Sequence, residues 1–226
     1  IAGEATEAGS RLLAGKVAVK DAPAFAAATA AGLVCLGKTH MSELAFSGLG
    51  VNPVTATPPN AIEPGRAPGG SSSGAAVSTA LGLAAAGIGS DTGGSVRIPA
   101  AWNGLAGLKT TAGQISCEGV VPLSTTLDTV GPLCRTVEDC ALLYGALMGR
   151  KPEAPQPAAL KGARFLVPET SVLEGCDPEV SAAFEAALEA LAEAGARIAR
   201  AAVPEIAEAL DVGARISGIV NTEGWR

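Results

Sequence analysis

The stretch "GSDTGGSVRIPAAWNGLAGLKTT", residues 89–111, decides how this chain is read. A Thr-Gly-Gly-Ser turn at 92–95 can aim successive backbone N–H groups into one concavity, an arrangement that holds an anionic oxygen. Gly93 and Gly94 permit a sharp turn and leave room above it. Ser95 then stands at the rim, where its Oγ can attack a carbonyl while the N–H groups receive the developing oxyanion. Glycine turns are common, so alone this is a weak signal. A second run, "PGGSSSG" at 68–74, lies upstream, with Ser71 24 residues before Ser95. The pair is far more specific than either member.

Composition sets the frame around these two loops. The chain has 226 residues, 48% of them hydrophobic and only 3% aromatic, so its core must be built from Ala, Val, Leu and Ile. The 29 glycines follow no period and cluster between 65 and 119, which favours backbone-defined loops over collagen or disorder. The net charge is −6, and no Lys/Arg-rich run or basic-aromatic interleaving occurs, which argues against direct nucleic-acid binding. Five cysteines (35, 117, 134, 140, 176) show neither C-x-x-C nor a zinc spacing, and read as free buried thiols of a reducing, cytoplasmic compartment. One histidine and no paired cysteines give no basis for a metal site, and no cofactor motif is supported. The longest apolar stretch, Ala75 to Gly89, is too short and too weakly hydrophobic to span a membrane. The opening "IAGEATEAGS" has no signal-peptide pattern, and it and the closing "NTEGWR" read as cut from a longer protein.

Local signals predict alternating helices and strands, hence an α/β protein. Asp21 and Pro23 open a helix that Gly32 stops. "LVCLG" (33–37) reads as a buried strand, residues 48–70 as an ordered loop, and Ser71–Ser73 as the cap of a helix from about 74 to 86. "AGIGSD" is a short strand entering the turn at 91–95. Thr136 with Asp139 forms a capping box before a helix to about 148. A Pro-rich connector occupies 150–162. Beyond it come the strand "ARFLVPE", a helix opened by Asp177-Pro178 and ended at Gly195, and the strand "ARIARAAV".

Two familiar patterns mislead. "GLVCLGKT" (32–39) fits a phosphate-binding loop, which would make the chain a nucleotide-binding module. That loop needs a strand before its first glycine, whereas Gly32 follows helix-like "AFAAATAA". "GSSSG" (70–74) fits a nucleophile elbow at Ser72, but that arrangement places its histidine after the serine, and the only histidine, His40, lies before it.

Taken with both loops, the sequence resembles the amidase signature family. The matches run in order: "AGS" near the start, "GKTHMSELAFSG" (37–48), "PGGSSSGAAVS" (68–78), "GSDTGGSVRIPAAWNGLAGLKTT", and "LDTVGPLCRTVEDC" (127–140). They cover residues 5 to 150 densely and the remainder loosely. The resemblance implies a mixed central sheet covered by helices on both faces, in a single domain over 1–226 truncated at both ends. It implies a Ser–cis-Ser–Lys triad with Ser95 as nucleophile and Ser71 as the bridging serine, joined to Gly70 by a cis peptide bond. Thr92, Gly93, Gly94 and Ser95 would supply oxyanion N–H groups, and Asp91 and Arg97 would hold the turn or simply form a structural ion pair. Ser47, with the loop 48–66, is a candidate lining residue for a small amide substrate.

A buried lysine loses much of its preference for charge, so it can take a proton through two serines where no histidine exists. The family's lysine segment aligns before Ile1. Lys20 in "VAVKDAP" imitates it but falls where the family has a loop, and is read as solvent-exposed; Lys38 is read as structural. The implied function is an amidase that hydrolyses a carboxylic amide through an acyl-serine. The alternative is the glutaminase subunit of a tRNA-dependent amidotransferase. Self-association into a homo-oligomer stays open.

Overall fold

A computed structural model describes residues 1–170 and 173–211, with side chains through residue 208; the closing "NTEGWR" lies outside them. The chain divides into two compact units, the first running Ile1–Pro155 and the second Gln156–Thr222. The division falls inside the Pro-rich stretch.

In the first unit the strands are β1 (Ala86–Ser90), β2 (Ala106–Gly107) and β3 (Val130–Cys134). They form an antiparallel sheet of order β1–β3–β2, in which Ala86 and Ala106 both lie opposite Cys134. Every residue of β3 is buried, as befits the middle strand. Its alternation sorts two cores. Val130 and Cys134 pack with Ala24 and Ala28 of α1 (Pro23–Ala30) and with Cys140, Leu143 and Leu147 of α4 (Val137–Leu147). Leu133 packs with Ala75 and Ala76 of α2 (Ser73–Ala80) and with Val96 and Ala100, the latter on α3 (Arg97–Trp102). Helices therefore cover both faces, and burying a side chain such as Leu133 contributes about 2 kcal/mol. The second unit pairs β4 (Arg164–Pro168) in parallel with β5 (Arg197–Ala201) through the crossover helix α5 (Pro178–Glu193), and α6 (Pro204–Asp211) follows.

Several local expectations hold. Thr136 Oγ1 accepts from the Asp139 N–H at 3.0 Å and caps α4. Pro23 and Pro178 each occupy the first turn of their helix. Others are corrected. "LVCLG" is no strand: residues 33–37 form no ladder and are exposed, Val34 at 81% and Leu36 at 73%. Apolar composition asks for burial, but a strand also needs a neighbouring edge, and residues 33–37 pair with none among the described residues. Helix α2 ends at Ala80 rather than 86, because Gly82 at φ +71° turns the chain, with its N–H bonded to Thr79 O. Its start carries no side-chain cap from the serine cluster. The cysteines are free but not uniformly buried: Cys35 and Cys176 are exposed, Cys117 is half-buried, and only Cys134 and Cys140 are interior. Burial pushes the Cys134 and Cys140 thiols up. Among the described residues no helix is long and apolar enough to cross a membrane.

Candidate active site

The first glycine-serine loop is fastened through its backbone. Gly69 N–H donates to Leu49 O at 3.1 Å and Gly70 N–H to Gly48 O at 2.8 Å, so residues 48–50 lie flat against it. A Cβ at Gly70 would sit 2.5 Å from Gly50 N and 2.6 Å from Gly50 Cα, which leaves room for glycine alone. The Gly70–Ser71 peptide bond is cis. Ser71 is fully buried, its carbonyl accepts from Ser42 N–H at 3.1 Å, and its Oγ is the one buried side-chain oxygen or nitrogen without a hydrogen-bond partner among the described residues. Ser72 Oγ lies between the N–H (3.3 Å) and C=O (3.4 Å) of Ser90, and Ser73 Oγ donates to His40 O at 3.4 Å. Ser72 and Ser73 thus tie the loop to its surroundings, and the elbow reading of Ser72 has no exposed hydroxyl to offer. His40 enters only through its carbonyl, which also accepts from Gly74 N–H at 2.9 Å.

The second loop leaves β1 and is organised by one carboxylate. Asp91 is fully buried. Its Oδ1 accepts from Gly94 N–H at 2.7 Å and Arg97 Nη2 at 3.0 Å; its Oδ2 accepts from Arg97 Nε at 3.0 Å and from the N–H groups of Val96 (3.1 Å) and Arg97 (3.3 Å). Burial alone would raise the Asp91 pKa, yet the guanidinium fork of Arg97 and the Val96 and Gly94 N–H groups outweigh it and hold the carboxyl below its usual range. The same pairing raises Arg97, whose side chain is half exposed. Both expected partners are therefore together, and they hold the turn from inside.

Ser95 is half-buried between them, and its Oγ makes no hydrogen bond among the described residues. The N–H groups of Thr92, Gly93 and Ser95 are likewise unengaged there. Gly94 is the correction within the expected donor set: its N–H is spent on Asp91 and is not free for an oxyanion. The two loops meet directly, since Ser72 N–H donates to Ser95 O at 3.2 Å. That contact places Ser71 and Ser95 on neighbouring stretches of backbone. Ser47 is half-buried beside the first loop; its carbonyl accepts from Ser42 Oγ at 2.8 Å and its Oγ from Leu49 N–H at 3.2 Å, so its hydroxyl holds the loop 47–49.

The lysines lie elsewhere. All are exposed; Lys20 pairs with Glu118 at 2.5 Å, and Lys38 Nζ donates to Ala5 O. The phosphate-loop pattern at 32–39 has helix α1 before its first glycine and no helix after Lys38 until α2, apart from a short turn at Glu43–Ala45. Sequence reasoning did not single out Asn60, Asn103 or Asp128. Asn103 Nδ2 donates to Pro68 O (2.7 Å) and Pro99 O (2.8 Å), and Asn60 Nδ2 to Ala67 O (3.2 Å) and Trp102 O (2.9 Å), so two amides staple the loop before Gly69 to the end of α3. The signal for Asn103 was its place in "AAWNG", directly after α3.

The likenesses agree with this geometry. The chain is 47% identical over 183 residues to the 2-amino-5-chloromuconic acid deaminase of Comamonas testosteroni, covering 79% of this chain and 40% of that protein. It is 38% identical over 220 residues to a glutamyl-tRNA(Gln) amidotransferase subunit from Roseiflexus castenholzii, covering 92% of this chain and 45% of the relative. A crystal structure of a peptide amidase from Stenotrophomonas maltophilia superposes with a TM-score of 0.79 at 34% identity, over 89% of this chain and 45% of that one. Another amidase structure gives a TM-score of 0.88 at 36% identity, over 99% and 50%. The chain spans about half the length of these relatives. The Amidase family model matches residues 1–219, and with it the α/β architecture and the two joined loops find their place: the chain belongs to the Amidase family.

Proposed function

We propose that the protein carrying this chain hydrolyses a carboxylic amide through an acyl-Ser95 intermediate. The observation that supports this best is the junction of the two loops. One hydrogen bond, Ser72 N–H to Ser95 O, joins the stretch that carries the buried, unpartnered Ser71 hydroxyl to Ser95, in a turn where the Thr92, Gly93 and Ser95 N–H groups are unengaged among the described residues. Ser95 Oγ attacks the amide carbon and passes its proton to Ser71 Oγ, whose own proton goes to a base. The family resemblance implies a lysine for that base. The carbonyl oxygen becomes an oxyanion facing the N–H groups of Thr92, Gly93 and Ser95. The C–N bond then breaks as the proton returns through Ser71 to the leaving amine. Water repeats the sequence on the ester, releasing the carboxylic acid and restoring Ser95. The deaminase likeness favours a small substrate that releases ammonia, and the five free cysteines suit a reducing, cytoplasmic setting.

The test is to incubate the full-length protein with a fluorophosphonate and locate the adduct by mass spectrometry. Modification at Ser95 is expected; a folded protein that carries no adduct would overturn the assignment. A second reading, the glutaminase component of a tRNA-dependent amidotransferase, draws on the longer alignment to the Roseiflexus protein. Glutamine-dependent ammonia release, together with co-purification of a second protein chain, would favour it.

A further inference from the structure

Asp128 belongs to none of the roles above, yet its carboxylate reaches the candidate oxyanion loop. Thr92 Oγ1 donates to Asp128 Oδ1 at 2.5 Å, while Oδ2 accepts from Leu123 N–H at 2.8 Å and Ser124 N–H at 3.0 Å. The next residue, Thr129, holds Asp91 on its other side. Asp91 N–H donates to Thr129 O (2.8 Å), Thr129 N–H to Asp91 O (3.1 Å), and Thr129 Oγ1 to the same oxygen (2.7 Å). Residues 91 and 92 are thus fixed from 128–129, and residues 94–97 from the Asp91 carboxylate. Between them Gly93 is exposed, with nothing near the position a Cβ would take. A glycine there leaves the Thr92–Gly93 peptide free to rotate unless Thr92 is anchored by its side chain.

We propose that Asp128 is a positioning residue for the oxyanion loop, acting through the Thr92 hydroxyl; the inference rests on the amidase reading above. A carboxylate suits the task because it only accepts, so one group can take the Thr92 hydroxyl on one oxygen and two N–H groups on the other. The ionised acceptor makes the Thr92 bond strong and sets its rotamer. N–H donors held in place before reaction need no reorganisation when charge develops.

The experiment measures, in the full-length protein, the rate of Ser95 phosphonylation together with kcat and KM on an amide it hydrolyses. Asp128→Ala and Thr92→Val are each expected to slow phosphonylation and lower kcat by about tenfold or more, with KM little changed. The double variant should be no slower than the worse single one, because both changes cut the same link. Thr92→Ser, which keeps the hydroxyl, should lose less than Thr92→Val. If Asp128→Ala fails to fold, Thr92→Val decides, since it leaves the Leu123 and Ser124 bonds intact. Wild-type labelling rates in Thr92→Val, or losses that multiply in the double variant, would overturn the proposal while leaving the amidase reading standing. Absence of any Ser95 adduct on the unaltered protein takes both down together.

Discussion

The two glycine-rich loops solve one problem in opposite ways. Residues 68–74 are held by backbone: N–H groups of Gly69, Gly70 and Gly74 donate to carbonyls of Leu49, Gly48 and His40, and the side chains of Ser72 and Ser73 add long, weak bonds. Residues 94–97 hang on a single buried charge, the Asp91 carboxylate, which accepts five hydrogen bonds, while residues 91 and 92 are fixed from 128–129. The first loop is therefore sensitive to added volume and tolerant of lost polar atoms. The second is sensitive to one carboxylate. A buried serine needs a rigid backbone cradle, whereas a turn with free N–H groups must be supported from below so that its upper side stays open.

Breaking the second loop should have the largest effect. Asp91→Ala leaves the Val96 and Gly94 N–H groups and the half-exposed Arg97 without their acceptor, and is expected to cost about 3 kcal/mol in urea unfolding, with loss of Ser95 labelling. Next comes Gly70→Ala in the first loop, whose Cβ would meet Gly50 backbone at 2.5 Å. Neither backbone can yield cheaply, and about 2 kcal/mol is expected in the same assay.

The contrast also carries a pH signature. Because the Asp91 carboxyl is held below its usual range, the stability it contributes is present above that range and is lost as pH falls through the lowered folded value. Unfolding midpoints measured from pH 7 down to pH 2 should fall more steeply for the unaltered protein than for Asp91→Asn. Equal slopes would show that the charge does not matter. Smaller still is Ser72→Ala, which removes bonds of 3.3 and 3.4 Å and keeps the Ser72 N–H to Ser95; about 0.5–1 kcal/mol is expected. His40→Ala should change stability least, within about 0.5 kcal/mol, because only the carbonyl of His40 is used. A large loss there would mean that the ring acts in a way the hydrogen bonds do not account for.

What could be read along the chain was read where the cause is local. Thr136 three residues before Asp139 announces a helix start through a bond made within one turn, and Pro178 announces another through its fixed φ at the first helical position. Gly82 announced the end of α2 just as plainly, but the apolar run from Ala75 to Gly89 hid it. The segment "LVCLG" failed for the reason that local signals fail in general: composition states a wish for burial, and only a neighbouring edge grants it.

For the site, residue types and spacing together with the family resemblance pointed to Ser95 rather than Ser72 or His40 and set Asp91 and Arg97 at the turn, where the two are found paired. These choices depend on which groups can donate, accept or lose a proton, and that is written in the side chains. The tertiary structure alone decided which N–H groups remain unengaged among the described residues, because Gly94 is claimed by Asp91 and Thr92, Gly93 and Ser95 are not. It alone brought Asp128 to Thr92, 36 residues away, and Asn103 to Pro68, 35 residues away. Hydrogen bonds between distant segments depend on where the folded backbone carries them, and no local pattern encodes that path.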